Sequence, residues 1–140
     1  MLTITLLGTA ATMPLPDRAL TAALAECGGH ALLFDCGEGT QAAARRAGVN
    51  LMKLDAICLT EHFNTQQFEV LYRYIATQGT RQGDAYVFDG LKIFPGMETD
   101  IAEGGHVLSI GPMEAILELN HRLEPHKAKG SFLPAAELLE

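Results

Sequence analysis

Two apolar runs, residues 20–27 and 30–36, meet at Gly28-Gly29, and this junction limits the possible folds more than any other feature. A two-glycine link between such runs marks a tight hairpin, because both turn positions need a positive φ that glycine adopts without a Cβ penalty. Upstream, Leu2, Ile4 and Leu6 alternate with Thr3 and Thr5, which predicts a strand ending at Gly8. With no basic residue before Arg18, this apolar start reads as a first strand rather than a secretory leader. Residues 8–17 contain two prolines and small residues and read as a loop. Downstream, Gly37 and Gly39 turn the chain, Thr40 is placed to cap a helix over 40–46, and Gly48 to stop it. Residues 55–60 form another strand, apolar enough at Ile57, Cys58 and Leu59 to be covered on both faces.

The second half is less regular. Phe68, Leu71, Tyr72 and Ile75 lie at helical spacing within 66–78, so that segment is expected to be a helix packed by those residues. Residues 85–88 and 91–94 flank Asp89-Gly90, a hairpin signal. A turn is expected over 103–106, a short strand over 107–110 and a longer one over 113–119. Residues 134–140 suit a short helix with Pro134 in its first turn. No internal repeat and no linker interrupts this pattern. The expectation is one α/β domain over residues 1–140, with a mostly antiparallel or mixed sheet and flanking helices.

With 48% hydrophobic and 19% charged residues, the 140-residue chain has the composition of a folded globular protein. No apolar stretch has the length needed to span a bilayer. The net charge of −7 gives no broad basic footprint, which argues against nucleic acid as a partner. The three cysteines, Cys27, Cys36 and Cys58, form neither a disulfide framework nor a Cys-x-x-Cys knuckle. All three are expected to act as small buried hydrophobes in a reducing cytoplasm.

Three segments carry more than generic pattern. Residues 4–20, the stretch Leu33-Phe34-Asp35-Cys36-Gly37-Glu38-Gly39-Thr40-Gln41, and residues 53–60 together resemble the opening of ribonuclease Z. Leu119-Asn120-His121-Arg122 is similar to a later segment of that family bearing a metal-ligating histidine. The resemblance implies a partial metallo-β-lactamase fold. It also implies two zinc ions that activate a water against the phosphodiester at transfer-RNA 3′ ends. Most of the ligands would come from a His-x-His-x-Asp-His loop following a strand that ends in threonine.

After Thr60 this chain reads Glu61-His62-Phe63-Asn64-Thr65-Gln66. In register, Glu61 and Phe63 replace the two leading histidines, Thr65 the aspartate and Gln66 the last histidine. Phenylalanine cannot bind zinc, and threonine offers no carboxylate to act on water. The family's bridging aspartate and final histidine have no counterpart within the 140 residues, its transfer-RNA arm reduces to 122–130, and His121 is the one ligand position that remains. The expectation is therefore a shortened, non-catalytic relative that retains no zinc. The residues left to hold a metal are His121, His62 and Glu61, with His126 as a further imidazole. A rearranged site built from them would make the chain a metal-dependent hydrolase.

Asp35 is read as capping its loop, and Gly37 and Gly39 as turn formers rather than a phosphate cradle. His30 is expected at the surface, and His106 in a turn without a role. A shortened fold would also leave one sheet face uncovered, so a homodimer or larger assembly is expected.

Overall fold

The structure is a computed structural model that describes residues 1–139 apart from 11, 12 and 14. Its strands form an eight-stranded mixed sheet in the order β1-β2-β3-β4-β7-β6-β5, with β8 paired to β7. The chain divides into two compact units, residues 1–59 with 89–93 and residues 60–88 with 94–140. Among the described residues, no helix is long and apolar enough to cross a membrane.

In the first unit, β1 (Leu2–Gly8), β2 (Ala22–Cys27) and β3 (His30–Phe34) form an antiparallel meander. Cys27 faces His30 across Gly28 and Gly29, at φ 60° and 87°, so the hairpin forms where the two glycines place it. Strand β3 then runs parallel to β4 (Ala56–His62) through Leu32–Ala56, Leu33–Ile57 and Phe34–Cys58. The connection carries α1 (Thr40–Arg46). Leu7, Ala22, Leu24, Leu33, Ala43 and Ala44 form the core. Strand β4 buries only Ala56, Cys58 and Thr60, while Ile57 and Leu59 stay half-buried, so one face is covered fully and the other in part.

Two details differ from the sequence expectation here. Gly39, at φ 89°, occupies the position before α1, and Thr40 is the first helical residue. The Thr40 hydroxyl donates to Gly37 O at 2.6 Å instead of capping a free N–H. Cys27 and Cys36 are exposed and Cys58 alone is buried. Cys27 ends β2 at the Gly28-Gly29 turn and Cys36 lies in the loop after β3, so neither apolar run continues inward far enough to cover them. Burial, with the Asp35 charge second, pushes the Cys58 thiol up to about 11. His30 is exposed as expected and lies 3.4 Å from Asp55.

In the second unit, α2 (Phe68–Gln78) buries Phe68, Tyr72 and Ile75, the spacing of one helix face. The Tyr72 hydroxyl donates to Gly96 O. Strands β5 (Thr80–Gln82) and β6 (Ala85–Phe88) form a hairpin. Asp89 and Gly90, at φ 46° and 87°, then lead into β7 (Leu91–Asp100). Strand β8 (His106–Ile110) returns antiparallel along β7, with Asp100 opposite His106 and Glu98 opposite Leu108.

Residues 113–119 are helical rather than extended: α3 spans Met113–Arg122. Met113, Ile116 and Asn120 are its buried residues, at intervals of three and four. The buried polar Asn120 breaks what would otherwise be a plain apolar stripe. The last helix, α4, is Ala135–Leu138, with Pro134 ahead of it; Glu140 lies outside the described residues, as do parts of the 8–17 loop.

Candidate metal centre

Strand β4 delivers the chain to Glu61 and His62, where the resemblance places a metal loop. Phe63, the next residue, is 1% exposed. Its N–H donates to Glu98 O at 2.8 Å, and its ring packs 5.9 Å from that of Phe132. Its carbonyl accepts from Asn120 Nδ2 at 2.6 Å, while Asn120 Oδ1 accepts from Lys127 Nζ at 3.0 Å. Phe63 is thus a core residue fixed at both ends of its peptide unit. Thr65 Oγ1 donates to the Glu61 carboxylate at 2.7 Å, and Gln66 is exposed. Four register positions that would ligate zinc in the family therefore hold a core aromatic ring, a hydroxyl–carboxylate pair and a surface amide. That set does not fit a two-zinc loop.

His62 faces other partners. Its Nδ1 lies 2.8 Å from Asn64 Oδ1 and its Nε2 3.2 Å from Asp100 Oδ1. The β7–β8 pairing sets His106 directly across from Asp100, and His106 Nδ1 lies 3.1 Å from the same Asp100 oxygen. Glu98, two residues before Asp100 and on the same strand face, brings Oε1 to 2.7 Å from His106 Nδ1. The imidazole centroids of His62 and His106 are 6.0 Å apart. His62, Asp100 and His106 can each direct one donor atom into a space where all three lie within 4.8 Å of one another. Their side chains are 28%, 20% and 41% exposed, open enough for an ion to enter.

The sequence-derived candidates divide accordingly. His62 joins the cluster. Glu61 is bonded to Thr65, and Tyr72 OH accepts its backbone N–H at 3.5 Å. His121 sits exposed near the end of α3. It lines a separate cleft of about 260 Å3 with Asn64, Glu69 and Glu124 among others, and belongs to no metal-ligating group among the described residues. His126 Nδ1 lies 2.9 Å from Ser131 O. Asp100 and His106 escaped sequence reading because five residues separate them and only the β7–β8 register joins them. His106 opens β8 instead of lying in the turn. The available signal was Gly104-Gly105, at φ 80° and 133°, a return tight enough to set residue 106 opposite residue 100.

The motif residues have a packing role in the first unit. Asp35, at φ 57°, donates its N–H to Cys58 O at 3.1 Å. A Cβ on Gly37 would stand 2.4 Å from Leu20 Cβ, so that position admits no larger residue without displacing β2's approach. Gly39 combines its positive φ with a close approach to Ala19.

No protein-family model matches the chain. Ribonuclease Z of Agathobacter rectalis is 44% identical over 82 residues, covering 59% of this chain and 27% of the relative. Ribonuclease Z of Lachnoclostridium phytofermentans is 50% identical over 62 residues, covering 44% of this chain and 20% of the relative. Over these stretches the chain is similar in sequence to ribonuclease Z. It spans about a quarter of the length of the curated relatives it matches. Among solved structures, the short form of human tRNase Z aligns with a TM-score of 0.41 at 38% identity, over 44% of this chain and 23% of that one. The metallo-β-lactamase-fold protein YhfI of Bacillus subtilis aligns with a TM-score of 0.44 at 15% identity, over 78% of this chain and 57% of that one. The ribonuclease Z relationship thus rests on sequence identity.

Proposed function

We propose that this ribonuclease Z-like chain is a non-catalytic member of its family that does not process transfer-RNA 3′ ends. The observation that carries this reading is Phe63: a fully buried ring, 1% exposed, stands in register with a zinc-ligating histidine. Thr65 reinforces it, since its hydroxyl offers no carboxylate chemistry and is engaged with Glu61. A hydrolase rearranged around Glu61, His62 and His121 would need those three side chains on one ion. Instead the Glu61 carboxylate is bonded to Thr65 and His121 lines a separate cleft, and neither belongs to the His62 cluster.

The test is cleavage of a precursor transfer RNA with a 3′ trailer, in zinc and in manganese, beside an active ribonuclease Z. No release of trailer is expected. Trailer release that chelator abolishes and added metal restores would overturn the reading.

Self-association belongs to the same reading. Strand β1 stands at one end of the strand order, and Leu2, Ile4 and Leu6 on it are 60%, 62% and 68% exposed. An edge strand carrying an apolar stripe is a template for pairing with another strand, and a second copy of β1 supplies one with two-fold symmetry. A reducing cytoplasm suits the exposed thiols of Cys27 and Cys36.

A further inference from the structure

We propose that His62, Asp100 and His106 form a binding site for one divalent transition-metal ion of the zinc class, outside the register in which ribonuclease Z would place its ligands. The donor set is two imidazole nitrogens and one carboxylate oxygen, the mixture that zinc and its neighbours prefer. Calcium and magnesium favour oxygen alone. The spacing fits as well. Bonds of about 2.0–2.1 Å at tetrahedral angles put neighbouring donors about 3.3 Å apart. His62 Nε2 and His106 Nδ1 stand 3.2 and 3.1 Å from Asp100 Oδ1. The third edge lies within 4.8 Å and shortens by rotation of the exposed His106 ring.

The surroundings are those of a supported ligand set. His62 Nδ1 lies 2.8 Å from Asn64 Oδ1; with its proton on Nδ1 the ring would donate there and present the Nε2 lone pair toward Asp100, the outer-shell arrangement common to metal-bound histidines. The β7–β8 register fixes Asp100 against His106 and His62 ends β4, so the three ligands sit on strands rather than on loops. A cleft of about 450 Å3, lined by Asp100, Gly104, Gly105, His106, Lys129 and Phe132 among others, opens beside them and admits an ion with the water that completes four-coordination. Glu98 Oε1, 2.7 Å from the same His106 Nδ1, stands where it could supply a fourth ligand to the ion. This site goes beyond the non-catalytic reading and does not depend on it.

The intact chain, purified in the presence of chelator and then dialysed free of it, is titrated with zinc by calorimetry and with cobalt by visible absorption. One equivalent with a tetrahedral cobalt spectrum is expected. His106→Ala and Asp100→Asn should each weaken zinc binding by roughly tenfold or more, with far-UV circular dichroism unchanged. His121→Ala should bind like the parent, which separates this cluster from a site in the family's register. Because His106 is the most exposed ligand, its variant keeps the test valid if Asp100→Asn misfolds. A folded parent that binds no zinc overturns the proposal. So does a His106→Ala variant that binds as the parent does, or loss of binding on changing His121.

Discussion

Changing Phe63 to histidine restores the residue type that the ribonuclease Z register calls for, and the fold should reject it. The Phe63 side chain is 1% exposed and pairs with Phe132 at 5.9 Å. Replacing a buried phenylalanine by imidazole forfeits about 1.5–3 kcal/mol of apolar burial. Two ring nitrogens then lie in a site whose polar partners serve the backbone, at a further cost of about 1–3 kcal/mol. Together these cost roughly 3–5 kcal/mol, a large share of the ~5–15 kcal/mol that stabilises an ordinary domain. The chain has no tryptophan, so far-UV circular dichroism in urea is the appropriate probe. With a slope of about 2 kcal/mol per molar, the midpoint should fall by roughly 1.5–2.5 M. Phe63→Leu, which keeps the apolar volume, should cost about 1.5 kcal/mol or less. Zinc should not rescue Phe63→His. A variant within about 1 kcal/mol of the parent and stabilised by zinc would refute the reasoning. The loop would then be free to turn a ligand outward, and Phe63 would not be a core residue.

Native alkylation with iodoacetamide at pH 8 should modify Cys27 and Cys36, which are exposed, and spare Cys58, which is buried with its thiol pushed up to about 11; intact mass would show the third adduct only in denaturant, and rapid triple labelling of folded protein would contradict the packing of β4. Light scattering at micromolar concentration should report a dimer or larger assembly, and Ile4→Lys, which charges the β1 edge at a residue 62% exposed, should return a folded monomer; a monomeric parent would remove self-association from the reading.

The first unit was legible because short-range rules decide it. Gly28-Gly29 names its own turn, the Leu2–Ile4–Leu6 alternation names β1, and both survive into the structure with their boundaries nearly intact. In the second unit longer-range terms override local pattern. Met113, Ile116 and Asn120 place an amide in the core, where it bonds Phe63 O and Lys127, so the apolar spacing that would announce a helix is incomplete. The His62–Asp100–His106 cluster was hidden for a related reason. Each residue is ordinary by itself, and the chemistry exists only through the register of β7 with β8. Thr40 illustrates a smaller failure: the residue type fits a cap, but Gly39 at φ 89° already makes the turn, which moves Thr40 inside the helix.

The two halves of the ribonuclease Z resemblance depend on different forces, which explains how one survives without the other. Gly8 and the segment from Leu33 to Gln41 are held by backbone geometry and close packing. A Cβ at Gly8 would fall 1.8 Å from Leu20 O, and one at Gly37 would fall 2.4 Å from Leu20 Cβ, so both positions demand glycine whether or not a metal is present. Nothing in that arrangement refers to zinc. The ligand loop after β4, by contrast, is constrained in the family by its metals. In this chain the position of Phe63 answers to the local core, where its ring is buried beside Phe132 and its carbonyl accepts from Asn120. A matching glycine motif therefore reports ancestry and fold in this chain, while the identity of residues 61–66 reports chemistry. His62 is the point at which the altered loop meets the β7–β8 pair, and whether it carries a metal there is a property of Asp100 and His106 that the ancestral motif does not encode.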